Sequence, residues 1–214
     1  AWGLVSGNRQ RGINVGIGLA CQSALRLAGV HLRVVGEEKI PDGPAVYVAN
    51  HQSSVDPLVA ATLIHGEFTV VAKKEARFDP RSLVGSLLLE PAYIDRSNSE
   101  QSRATLDALV SRIRGGTSLL IFPEGSRGEP EKMAELKSGI SFIAKRFPTV
   151  PVIPVFMRGL GKSMGKGTFI PIPFFVDVFI GRPFSWTGEK TSFMDRLRDA
   201  FAHLQKKVPS QPLE

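Results

Sequence analysis

The chain has one cysteine, Cys21, in 214 residues. A lone cysteine forms no intrachain disulfide, so a disulfide-stapled framework is excluded. Cys21 reads instead as a small buried residue; Gly18 stands where a lipobox would place leucine. Aromatics suited to stacking on bases are scarce, with two Tyr and two Trp, and no nucleic-acid-binding module is present. Long apolar runs are missing too. The longest uncharged N-terminal run, Gly12 to Leu25, is 14 residues and contains Asn14, Gln22, Ser23 and three glycines. A membrane span needs about 20 residues, so this run is expected to lie in the headgroup interface or pack on the domain. Acidic residues are absent from two stretches. None precedes Glu37, and none occurs from Leu136 to Val176. These stretches carry Arg9, Arg11, Arg26, Arg33, Lys137, Lys145, Arg146, Arg158, Lys162 and Lys166, and the whole chain is +7. They suit an anionic partner: nucleic acid, an anionic membrane or a phosphorylated substrate.

Hydrophobic residues at 43% and charged residues at 22% are those of an ordinary globular chain, which excludes disorder. Buried-strand patterns occur at Ala45–Ala49, Phe68–Ala72, Ala92–Ile94, Ser118–Phe122, Val150–Phe156 and Phe174–Ile180. The two prolines in Val150–Phe156 predict an edge strand or a strand end. Helical patterns lie between the strands. One opens at Asp56-Pro57, which fits an N-cap and first helical position, and runs to Ile64. Another opens at a capping box of Ser97 and Glu100, shows Leu106, Leu109, Val110 and Ile113 on one face, and stops at Gly115-Gly116. A third carries Leu136, Ile140, Ile143 and Phe147. The last is expected to be capped by Ser192 with Asp195, and bears Met194, Leu197, Phe201 and Leu204. The expected fold is a single α/β domain. Its mixed, mostly parallel sheet is flanked by helices, and a short membrane-interacting helical segment over 1–33 precedes the main domain over 34–214.

Some motifs are decoys. Gly159-Leu160-Gly161-Lys162-Ser163 ends like a phosphate-binding loop, but Gly165, Gly167, Pro171 and Pro173 deny it the helix whose N-terminus would supply donors. The same loop defeats a Ser163–Lys166 nucleophile pair. Gly125-Ser126-Arg127-Gly128 is one residue short of a nucleophile elbow. No His/Cys/Asp cluster has metal-ligand spacing.

Two segments carry chemistry. Asn50-His51-Gln52-Ser53-Ser54-Val55-Asp56 follows a strand directly. The turn between His51 and Asp56 lets the carboxylate accept a hydrogen bond from one ring nitrogen, leaving the other free to take a proton. Phe122-Pro123-Glu124-Gly125-Ser126-Arg127 delivers a carboxylate and a guanidinium onto a glycine-hinged turn. Arg127 offers a planar fork suited to phosphate, and Glu124 an acceptor suited to substrate hydroxyls or to holding Arg127.

With Lys73-Lys74-Glu75, Asp95-Arg96 and Val150-Pro151-Val152-Ile153-Pro154-Val155, these segments form four ordered blocks. Together they resemble the glycerophospholipid acyltransferase family, most closely the lysophosphatidate (1-acyl-sn-glycerol-3-phosphate) acyltransferases. The blocks are N-H-x(4)-D, met by Asn50, His51 and Asp56; K-x-E with a later D-R, met by Lys73, Glu75, Asp95 and Arg96; F-P-E-G-S-R, met by Phe122 to Arg127; and V-P-x-x-P-V, met by Val150 to Val155. The sequence departs from the common pattern at Ser53-Ser54, at Phe78 to Arg81 and at Gly128. The resemblance implies transfer of a fatty acyl group from acyl-CoA or acyl carrier protein to the hydroxyl of lysophosphatidic acid, giving phosphatidic acid in phospholipid biosynthesis. His51 would be the general base and Asp56 its orienting partner. Lys73, Arg96, Glu124, Gly125 and Arg127 would bind the acceptor. No metal or cofactor is implied beyond the acyl donor as co-substrate. The partners implied are a lysophospholipid, the acyl donor and an anionic membrane surface, at the cytoplasmic face of the inner (plasma) membrane. Other acceptors, such as another lysolipid or glycerol-3-phosphate, and a non-catalytic lipid-binding module are the alternatives.

Overall fold

Seven short apolar segments pair into one sheet with the order β1-β7-β6-β2-β5-β3-β4. A computed structural model describes residues 9–78, 91–95, 99–129, 132–165 and 172–207, without the side chains of residues 9–15, 99, 102, 103 and 106. The strands are β1 (Val30–Val35), β2 (Val46–Ala49), β3 (Phe68–Lys73), β4 (Ala92–Ile94), β5 (Ser118–Ile121), β6 (Val152–Arg158) and β7 (Phe174–Ile180). All neighbours are parallel except β6 and β7. Strands β1 and β7 therefore run against the other five. The helices are α1 (Arg9–Leu27), α2 (Asp56–Leu63), α3 (Ser99–Arg114), α4 (Gly139–Arg146), the single turn α5 (Leu160–Ser163) and α6 (Lys190–Lys206).

The sheet separates two apolar layers, and the alternation along β2 shows how. Tyr47 and Ala49 join the layer that holds Cys21 and Leu25 of α1 and Val59 and Leu63 of α2. Val46 and Val48 face Leu109 of α3, Ile140 of α4 and Phe193 and Leu197 of α6. A strand buried on both faces reads as a continuous apolar run, as β2, β5 and β6 do. Cys21 is buried and unpaired. Helix α1 crosses α2 closely at Gly18, where a Cβ would sit 3.0 Å from the Ala61 carbonyl oxygen.

Three expectations change. β6 is central, between β7 and β2. Pro151 precedes it, and Pro154 faces a bulge between Ile180 and Phe184. Val155 pairs with Ile180 while Val152 bridges Phe184, so three steps along β6 face four on the other side. The missing proline N–H falls where the ladder is already broken, and the Pro154 carbonyl still accepts from the Gly181 N–H at 2.8 Å. Helix α6 starts at Lys190 after an extended Glu189. Ser192 thus lies inside the helix, and Asp195 pairs with Arg198 at 2.7 Å. Helix α4 starts at Gly139, so Leu136 lies in the loop before it. The stop at Gly115-Gly116 holds: the Gly116 N–H bonds to the Ile113 carbonyl and the Thr117 N–H to that of Arg112, with Gly116 at φ 98°. This is the left-handed glycine cap. Ser97 of the expected capping box lies outside the described residues.

Candidate active site

Strands β2, β5 and β3 are parallel neighbours, so the segments that leave their C-terminal ends meet on one edge of the sheet. His51 leaves β2, Phe122 and Glu124 leave β5, and Lys73 ends β3. Open parallel sheets bind ligands at this edge.

The turn after β2 is tied down first. The Asn50 side chain donates to the Met157 carbonyl at 2.8 Å and accepts from the Met157 N–H at 2.7 Å. It thus locks the end of β2 to the end of β6. Asp56 starts α2, but its carboxylate does not cap the helix. It turns back into the loop, where Oδ2 accepts from the Gln52 N–H at 2.7 Å, the Ser53 N–H at 2.9 Å and His51 Nδ1 at 2.7 Å. Asp56 is fully buried. A carboxylate oxygen accepts hydrogen bonds, and two backbone N–H groups already donate to this one. Its hydrogen bond therefore places the imidazole proton on Nδ1 and leaves the Nε2 lone pair as base. The His51 ring stacks on Phe122, with centroids 4.3 Å apart and planes 24° from parallel. Beside the dyad, the Gln52 carboxamide is buried, with no partner for either polar atom among the described residues. Such a group lowers stability, and such groups concentrate where function requires them.

The second loop closes over the first. Glu124 Oε1 accepts from the His51 N–H at 2.6 Å and Oε2 from the Ala134 N–H at 2.7 Å. Burial pushes the Glu124 carboxyl above the usual range. The Ala134 and His51 amides and the His51 ring pull it down, and Asp56 adds to the upward push. Gly125 turns the chain at φ 75°. Arg127 Nη1 donates to the Ser54 hydroxyl at 3.2 Å, which sets the half-buried guanidinium beside the dyad's turn. Lys73 is exposed at the end of β3, separated from β2 by β5. Asp95 of the second block binds Lys74 at 3.1 Å. Arg96 lies outside the described residues.

Sequence reasoning gave no role to Asn50, Phe122 or Gly128. Gly128 donates its N–H to the His51 carbonyl at 2.9 Å. The signal for Asn50 was its place at a strand end, where a short amide can join two backbones.

The family described as Acyltransferase matches residues 31–158, more than half of the chain and all of this site. The chain belongs to the Acyltransferase family. Among curated members it is 34% identical over 128 residues to the 1-acyl-sn-glycerol-3-phosphate acyltransferase of Salmonella typhimurium, covering 57% of this chain and 50% of that protein. It is 30% identical over 168 residues to the enzyme of the same name from Limnanthes douglasii, covering 76% and 58%. The chain thus spans about half the length of the curated relatives it matches. The crystal structure of the 1-acyl-sn-glycerophosphate acyltransferase PlsC from Thermotoga maritima superposes with a TM-score of 0.74 at 22% identity, over 92% of this chain and 80% of that one. That likeness establishes the fold.

Proposed function

We propose that the protein transfers a fatty acyl group from a thioester, acyl-CoA or acyl carrier protein, to the free hydroxyl of lysophosphatidic acid, yielding phosphatidic acid. The observation that carries this is the His51–Asp56 pair, held in one tautomer at the ligand-binding edge of a parallel sheet. The names of the relatives support the acceptor. His51 Nε2 takes the proton of the acceptor hydroxyl as its oxygen attacks the thioester carbonyl. Asp56 stabilises the imidazolium that forms, as the carboxylate of a Ser-His-Asp triad does. The tetrahedral intermediate then expels the thiolate, which recovers the proton from the imidazolium. The acceptor hydroxyl stands where a protease places its serine, so no acyl-enzyme is required. Arg127 and Lys73 supply cations for the acceptor phosphate; Gly125 gives Arg127's turn its shape.

The lipid surface meets the protein at the same edge. β7 is antiparallel to β6, so its start lies beyond the end of β6, and β1 starts beside it. Here Leu27, Ile172 and Phe175 are 90%, 59% and 54% exposed, and Lys162 lies over the Phe174 ring at 5.7 Å. Two hydrogen-bonded steps join this patch to the dyad's turn: Ser53 Oγ to the Met164 carbonyl, and Ser163 Oγ to the Ile172 carbonyl. No helix among the described residues is long and apolar enough to cross a membrane. The proposed attachment puts apolar side chains in the interface and basic residues against anionic headgroups.

The test is product identification by mass spectrometry after incubating the purified protein with a panel of lyso-acceptors, glycerol-3-phosphate and both donor types. Phosphatidic acid from lysophosphatidic acid supports the reading. A different acylated product reassigns the acceptor, and lipid binding without any product leaves a binding module.

A further inference from the structure

The Glu124 carboxylate is 3% exposed and spends both oxygens on backbone amides of its own chain, His51 N–H and Ala134 N–H. Each oxygen is aimed at a backbone amide, and little of the residue is open to an acceptor hydroxyl. The same turn reaches His51 twice more. The Gly128 N–H binds the His51 carbonyl at 2.9 Å, and Phe122 stacks on the ring. The His51 main chain is thus held at its N–H and at its C=O by one seven-residue segment, 122–128, while Asp56 holds the ring. A Cβ at position 128 would lie 3.4 Å from Glu124 Oε2 and 3.3 Å from the Lys132 carbonyl oxygen. Glycine therefore lets this segment lie close along both the clamp and the loop that carries Ala134.

We infer that Glu124 is a positioning residue for the reaction: its carboxylate clamps the His51 backbone to the loop before α4 and holds a second negative charge beside the imidazole. Among the described residues the titratable groups that face it are His51 and Asp56. A negative charge held beside the imidazole stabilises the positive charge that develops on the ring as the acceptor loses its proton. The inference rests on the reading of His51 as general base.

Glu124→Gln separates this role from acceptor binding. The glutamine oxygen can keep one amide, but its NH2 then faces the other N–H, and the charge is gone. The expected result is a fall in kcat of tenfold or more, with the acceptor KM within about twofold of the wild type. Glu124→Asp keeps the charge but is one methylene too short to span both amides. Its kcat should still fall, with the acceptor KM again within about twofold of the wild type. The wild-type protein offers a check that needs no variant: the His51 amide should be shifted downfield and protected from hydrogen exchange. An unchanged kcat in Glu124→Gln, a raised acceptor KM with kcat intact, or a His51 amide exchanging at coil rates would overturn the inference. The exchange needs no turnover. Its failure is therefore distinct from the failure of the proposed activity, which would appear as a wild-type protein that makes no product.

Discussion

Arg127 Nη1 donates to the Ser54 hydroxyl, on the turn that also carries His51. That contact sets the guanidinium on a defined side of the dyad. Arg127→Lys replaces a planar, multi-donor contact with a point charge. The expected outcome is an acceptor KM raised about tenfold, the cost of roughly one charge-assisted hydrogen bond, with kcat little changed. Steady-state kinetics with each substrate varied in turn checks it; a rise confined to the donor KM would move Arg127 to the thioester side. At this scale the sequence shows the dyad and the arginine because spacing constrains short loops: a carboxylate five residues from a histidine can reach back to it. The destination of Glu124 is not legible. Its two partners, His51 N–H and Ala134 N–H, are backbone groups that every residue has, so side-chain identity carries no trace of them.

The elements converge because three parallel strands end together, and Asn50 is the joint that fixes the end of β2 against β6. Asn50→Ala would leave the N–H and C=O of the buried Met157 without partners. Each unsatisfied buried group costs about 1–3 kcal/mol. The expected loss is about 2–4 kcal/mol in chemical denaturation, with reduced activity as the end of β2 slips against β6. A loss below about 0.5 kcal/mol would show that the joint is elsewhere. The strands were readable from β-branched apolar runs, and so were α2 and α3 from their period and their punctuation by Pro57 and Gly116. Strand order was not. Pro154 marks an edge by local rules, yet the bulge between Ile180 and Phe184 admits it to the centre of the sheet. That compensation lies 27 residues away in sequence and is invisible to a local pattern. The cap at Ser192 fails for a related reason: Glu189 is already extended and the helix begins before the serine.

For the whole molecule, the site and the exposed apolar patch share one edge of the sheet, which is the face the proposed reaction would turn toward a lipid surface. The basic residues do not all gather there. Arg146 of α4 binds Asp107 of α3 at 3.2 Å, on the layer opposite α1 and α2. Of the run from Phe169 to Phe175, only Ile172 onward is described. Phe174 and Phe175 face solvent, and Val176 begins the buried part of the strand. Binding to phosphatidylglycerol liposomes should weaken as salt rises, because exposed charges are screened beyond about 8 Å at 0.15 M. Leu27→Ser with Phe175→Ser should weaken it at least about tenfold further, since each such side chain contributes about 1.5–3 kcal/mol when fully buried. Co-sedimentation unaffected by both salt and the substitutions would place the docking face elsewhere. The central claim is that His51, oriented by Asp56, removes the proton of the acceptor hydroxyl. The most direct measurement is the rate of phosphatidic acid formation from lysophosphatidic acid and an acyl thioester by the folded His51→Ala protein against the wild type. The account predicts a loss of about a hundredfold or more, since general-base catalysis contributes 10²–10⁴-fold. Retention of more than about a tenth of the wild-type rate would contradict it.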